Sequence, residues 1–449
     1  MRLFLRNAVW LALLAAVGSG GVVAQEPLTL RQAIQQALKQ NPDADLARAG
    51  TQEAKAGAAL ARTQLLPQVN FTEDMSRGND PVYVFGTKLR QQRFTLSDFA
   101  LNELNRPSPA GNFATRFSGS WLAFDSLRTQ KMIRSADLMQ TSAATSAKAV
   151  DQKIVFDVVQ AYQGVLYAER QVAVAQHELE TAQALLSSVD DRVKAGLVVE
   201  SDRMSAQVNE AAMKQGLIAA QGDLDLAWAQ LRLAMGAPNL TQSKLQAIEP
   251  KDFPQNSLDQ ELQIAVKTRP DLAALGQAQS AQALAASAAK LSYGPHVSAY
   301  GNWEDDRGVD SGGHNWVAGV QIGIDILPFS KRAQLAREVA AKTRVDAQLN
   351  SYQQLVRLQV SQAHIQSQTA KQSLDTAKAS IDQATESLRI LKNRYNAGLA
   401  TITDLLRAED AERQAQANYW HAVYGNAVAY AGILFATGTL TPDAAEELQ

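Results

Sequence analysis

Two carboxylates in this 449-residue chain are placed alike. Asp202 and Asp404 each stand six residues past a glycine, Gly196 or Gly398, and they lie 202 residues apart. A carboxylate in the first turn of a helix complements the macrodipole, with Thr401 as a cap beside Asp404, so the chemistry on offer is charge placement rather than bond making. Lys88, Arg90 and Arg93 stand among Tyr83, Phe85 and Phe94 in a cluster that reads either as a solvated loop or as a contact for anionic phosphates. The five histidines, His177, His296, His314, His364 and His421, are scattered without ligand spacing, so no metal and no cofactor are expected. Asp305, Asp306 and Asp310 read as solubilisers of a loop. No phosphate loop, nucleophile elbow or His-Glu-x-x-His is present, and an enzyme is not expected.

What must position the two carboxylates is a pair of long helices. Twelve positions from Ile154 to Val193 step by 4, 3, 4, 3 (Ile154, Val158, Ala161, Val165 and onward), and all are apolar. The series returns 202 residues later from Val356 to Tyr395, with Ser367 its one polar place. A period of 3.5 residues drives a left-handed coiled coil, and its recurrence at one offset marks a tandem duplication. No proline occurs between Pro109 and Pro238 or between Pro328 and Pro442. Each stretch is broken once by a glycine turn, Ala195-Gly196-Leu197 or Ala397-Gly398-Leu399, and therefore reads as a helical hairpin. The long arm from about Leu127 to Lys194 would span on the order of 100 Å at 1.5 Å per residue.

The N-terminus has a basic start (Arg2, Arg6), an apolar stretch from Val9 to Val17 and a small-residue exit at Val22-Val23-Ala24, so residues 1–24 are expected to be a secretory signal peptide. Cysteine is absent, which removes disulfides, thiolate sites and an acylated N-terminal cysteine. Without Arg2 and Arg6 the charged residues are 41 basic against 45 acidic, which gives nothing suited to nucleic acid. The mature chain divides into a first repeat, 25–248, and a second, 249–449. The first holds helices over 29–66, strands over 67–77 and 113–124, and a long hairpin over 127–235. The second holds helices over 258–293, strands over 296–304 and 316–327, a hairpin over 330–436 and a tail. Leu38 to Asp43 answers Val266 to Asp271 at an offset of 228, so the first half carries about 26 extra residues, most of Gly78 to Asn112. The clearest strand signal is Val320, Ile322, Ile324 and Ile326 on one face, and Glu304 to Asn315 reads as an exposed hairpin loop. Four strands cannot close a barrel, and an open sheet edge in lipid is prohibitively costly, so closure must come from other copies. Three copies give twelve strands, whereas two give eight, whose interior side chains fill.

The pattern Leu28-Thr29-Leu30-Arg31-Gln32-Ala33, the two Pro-Asp helix starts, the proline-led strands, the long helices and the glycine tips together resemble the TolC family of outer-membrane efflux proteins from end to end. The resemblance implies a mostly α fold with a β part. In it a homotrimer closes a twelve-stranded outer-membrane barrel, continuous with a coiled-coil tunnel across the periplasm. It implies an exit duct of a tripartite efflux or type I secretion system, with a periplasmic adaptor and an inner-membrane pump as partners. By the same resemblance Asp404, with Asp202 as its repeat partner, falls where acidic rings hold the periplasmic mouth shut, and Tyr395 matches the aromatic before the turn. Arg407 and Ala400 depart from the family's pattern there, so a constriction bonded differently is expected, using Arg394 or Arg407. Gly196, Leu197, Gly398 and Leu399 would be the adaptor-docking tips. A periplasmic adaptor or structural coiled coil is the rival, since it too would carry long hairpins.

Overall fold

The structure, a computed structural model, describes residues 27–247 and 251–448, so the expected signal peptide over 1–24 lies outside the described residues. The first half runs α1 (Leu30–Gln40), α2 (Pro42–Thr63), β1 (Gln68–Gly78), α3 (Pro81–Arg90), α4 (Leu101–Asn105), β2 (Ala110–Phe124), α5 (Arg128–Lys194) and α6 (Glu200–Met235). The second runs α7 (Leu258–Thr268), α8 (Pro270–Leu291), β3 (His296–Arg307), β4 (Gly312–Gly323), α9 (Phe329–Asn396) and α10 (Ile402–Thr437).

The short helices start where the sequence can cap them. Thr29 and Ser257 form capping boxes with Gln32 and Gln260, and Pro42 and Pro270 occupy first positions, where no N–H is needed. The residues before those prolines also tie each half together. Asn41 Nδ2 donates to Ala234 O at 2.8 Å, and Arg269 Nη1 donates to Ala436 O at 3.0 Å, satisfying carbonyls at the ends of α6 and α10.

The heptad stripes are interior along their whole length: none of the twelve positions on α5 or on α9 is exposed. α5 carries more buried surface than its repeat partner, because it packs against α1, α2, α6, α8 and α10, whereas α9 packs against α7, α8 and α10. Val155, Val159, Tyr162 and Leu166 form its second buried row, and Tyr162 Oη donates to Leu28 O at 2.7 Å. Among the described residues no helix is long and apolar enough to cross a membrane.

The four strands form one antiparallel sheet in the order β1-β2-β3-β4, with β1 and β4 as its edges. The register aligns Phe71, Phe117, Trp303 and Trp316 across all four, with ring centroids 5.1 Å apart for Phe71–Phe117 and 5.9 Å for Phe117–Trp303. That face also carries Val69, Trp121, Val320 and Ile322, all exposed. The opposite face is polar, with Asn70, Thr72, Ser118, Ser120, Ser298 and Gln321.

Three expectations are corrected here. The loop expected over Glu304 to Asn315 is mostly strand: β3 runs to Arg307 and β4 begins at Gly312, because the charged residues find cross-strand partners. Glu304 Oε1 meets Arg116 Nη2 at 2.8 Å, and Asp306, fully buried, accepts from Asn112 Nδ2 at 2.6 Å, so Asp306 is not a loop solubiliser. The ladder stops at His296 and Gly323, short of Ile326, since Pro295 has no N–H with which to continue it. The segment between β1 and β2 is folded rather than a solvated loop, and Lys88 is not free for phosphate but pairs with Asp98 at 2.7 Å.

Candidate functional site

Each long hairpin turns in the same way. At the end of α5, Gly196 takes φ +71° and Leu197 N donates back to Arg192 O at 2.9 Å; at the end of α9, Gly398 takes φ +72° and Leu399 N donates to Arg394 O at 2.8 Å. These are Schellman-type ends that need a left-handed residue, and nothing lies within 4 Å of a Cβ added at either glycine. Leu197 and Leu399 remain exposed, at 75% and 69%.

The helices that follow begin differently. α6 starts after Val199 with no side-chain cap, whereas Thr401 and Asp404 form a capping box at α10. Thr401 Oγ1 and Thr401 N donate to Asp404 Oδ2 at 2.7 and 3.1 Å, and Asp404 N donates to Thr401 Oγ1 at 3.2 Å. The Thr401 hydroxyl, then its N–H, holds the Asp404 carboxyl below the usual range, with lesser help from Arg407 and Arg394. Arg394 Nη2 reaches Leu399 O at 3.4 Å rather than the carboxylate, and Arg407 has no hydrogen-bonded or ion-pair partner among the described residues.

The fold brings the two tips together. Val189 and Ala206 of the first hairpin share a small core with Tyr395, Ile402 and Leu405 of the second. The Arg192 guanidinium lies 4.9 Å from the Tyr395 ring centroid, and its Nη2 donates to Asn396 Oδ1 at 3.3 Å. Burial raises the Tyr395 phenol, Arg192 opposes that, and the Asp202 charge adds to it, so Asp202 faces the same ring electrostatically. Arg192 was not singled out from the sequence, although the 202-residue offset that pairs Asp202 with Asp404 also pairs Arg192 with Arg394.

Further along the hairpins Glu178 of α5 is enclosed by α10. Burial pushes its carboxyl up to about 7 against the pull of Arg413, whose Nε lies 3.7 Å away, with Glu412, Asp410 and Glu409 adding to the rise. Arg413 also pairs with Asp410. Among the described residues no group of three or more His, Cys, Asp or Glu side chains is placed to hold a metal.

The chain's relatives agree with this architecture. The family model described as outer membrane efflux protein matches residues 33–237 and 262–439. The outer membrane efflux protein BepC of Brucella suis is 22% identical over 423 residues, covering 92% of this chain and 86% of its own. The Campylobacter jejuni CmeC outer membrane channel superposes with a TM-score of 0.79 at 17% identity, over 93% of this chain and 88% of that one. The open state of the Neisseria gonorrhoeae MtrE outer membrane channel gives 0.74 at 18% identity, over 92% and 91%.

Proposed function

Since the chain belongs to the outer membrane efflux protein family, we propose that three copies of it form the exit duct of a tripartite efflux or type I secretion system. The protein is a channel of the outer membrane with its helical tunnel in the periplasm, and it is not an enzyme; family membership also sets aside the adaptor reading. The observation that carries the trimer is the sheet. It has one apolar and one polar face, and both of its edge strands lack a partner among the described residues. In lipid such edges must pair, and three copies supply twelve strands around a polar lumen.

In this reading the far end of the tunnel is the pair of hairpin tips. Leu197 and Leu399, held out by Gly196 and Gly398, meet a periplasmic adaptor, and the inner-membrane pump feeds the duct through it. Asp404 and Asp202 become rings of three carboxylates at the periplasmic mouth. Arg394 and Arg407 beside them, and Arg192 against Tyr395, are the cations within reach of those rings.

Single-particle electron microscopy of the detergent-extracted mature protein tests the assembly. The expected particle is three-fold, detergent-belted at one end, with a hollow helical cylinder of roughly 100 Å. A monomer or a solid unbelted rod would refute it.

A further inference from the structure

We infer that the segment between β1 and β2, residues 79–109, is a fixed inner collar that narrows the outer mouth of the barrel, so that the mouth itself excludes solutes by size. This rests on the trimeric barrel proposed above. The argument is one of faces. Ser76, Asn112, Ala114, Glu304, Asp306 and Gly313 belong to the polar, lumen side of the sheet by register, and the segment folds against that side. Gln91, fully buried at the end of α3, donates through Nε2 to Gly111 O and to Asn112 Oδ1, each at 2.8 Å. Asn112 passes the connection to Asp306 at 2.6 Å. Tyr83 Oη lies 3.0 Å from Ser76 Oγ.

The contact with the β3–β4 turn is equally close. A Cβ added at Gly313 would lie 2.4 Å from the backbone Arg90 O, so glycine is needed there for the collar to seat, and one at Gly308 would lie 2.8 Å from the side-chain Gln91 Oε1. Val84, Thr87 and Gln91 form the buried face of α3, at helical spacing. The rest of the segment closes on itself through Lys88–Asp98 at 2.7 Å and the edge-to-face rings Phe85–Phe94–Phe99. A solvated loop needs no such interior. The exposed surface of the segment carries Val82, Leu96 and Leu101 together with Arg90, Arg93 and Arg106, so the collar narrows the mouth by its bulk rather than by a single surface chemistry.

The chain has no cysteine, which permits a clean labelling test. Ser120→Cys places a thiol on the polar face, below the collar, and Val320→Cys places one on the apolar face. Intact cells are treated from outside with a small sulfonated maleimide or a large polyethylene-glycol maleimide. With the natural collar, S120C should react with the small reagent and exclude the large one. With residues 81–107 replaced by a short Gly-Ser turn, that exclusion should be lost. A milder pair, Tyr83→Phe with Gln91→Ala, keeps the length but loosens the seat and should lose part of the exclusion; it serves if the deletion fails to assemble. Equal exclusion of the large reagent in all chains, or its free reaction with the natural collar, overturns the inference. V320C labelling as readily as S120C would instead mean that the barrel reading itself is wrong.

Discussion

The Asp404 carboxylate has two duties that one substitution confounds. It caps α10 through Thr401, and in the proposed channel it lines the mouth. Thr401→Ala removes the cap and keeps the charge, at a cost of about 1 kcal/mol in helix stability. Asp404→Ala removes both. We expect D404A, but not T401A, to raise resting conductance in planar bilayers and to weaken block by cations; matching behaviour of the two variants would reduce Asp404 to a cap. Glu178 is a second residue whose position sets its behaviour. Its folded carboxyl titrates at about 7 against an unfolded value of 4.5. The native state therefore holds the proton longer, and stability falls as pH rises through that interval, by on the order of 3 kcal/mol once both states are ionised. Glu178→Gln should raise the thermal midpoint of the solubilised protein at pH 8 and leave it nearly unchanged at pH 5. An unaltered midpoint at pH 8 would show that the site is wetter than its burial implies.

Four glycines end the hairpin helices in the left-handed region, and their surroundings divide them into two kinds. At Gly196 and Gly398 only the dihedral angle demands glycine, so alanine should cost about 1 kcal/mol and leave assembly intact. At Gly236 and Gly438, φ is +63° and +76°, and a Cβ would also lie 2.7 Å from the Cα of Asn41 or of Arg269. Backbone cannot yield as a side-chain end can. Gly236→Ala and Gly438→Ala should therefore lower the melting temperature well beyond the tip variants, as circular dichroism would measure. The tips have a further expected use. Cysteines at Leu197 or Leu399 should cross-link to a co-expressed adaptor, and silence with every candidate adaptor would remove the docking role while leaving the turns explained.

For the molecule as a whole, the proposed barrel is the part that the four strands of one chain leave open. Ile322 lies on the apolar face and Gln321 beside it on the polar one. In the proposed trimer, lysine at 322 would place three charges in lipid, each costing about 2–4 kcal/mol near the midplane. Lysine at 321 would meet water. The I322K chain should fail to yield a detergent-stable trimer, and Q321K should yield one in ordinary amounts; equal yields would argue that this face does not meet lipid.

Periodicity alone determined the long helices, their duplication and their glycine ends, because a coiled-coil stripe repeats for twelve places and proline is nearly excluded from helix interiors. The alternation of Val320, Ile322 and Ile324 likewise disclosed a one-sided sheet. Asp404 and Asp202 were legible as helix-start carboxylates, but the Arg192–Tyr395 contact was not, since it joins two hairpins 203 residues apart in the chain. Asp306 was misread for the same reason: local composition marks a loop, and only the partner strand shows that Asn112 Nδ2 donates to the Asp306 carboxylate. The fold of residues 79–109 was decided by tertiary structure alone. Its core is built from short pieces with no period of their own, held by the sheet face beneath them, and a contact across the sheet leaves no mark in the spacing of either segment.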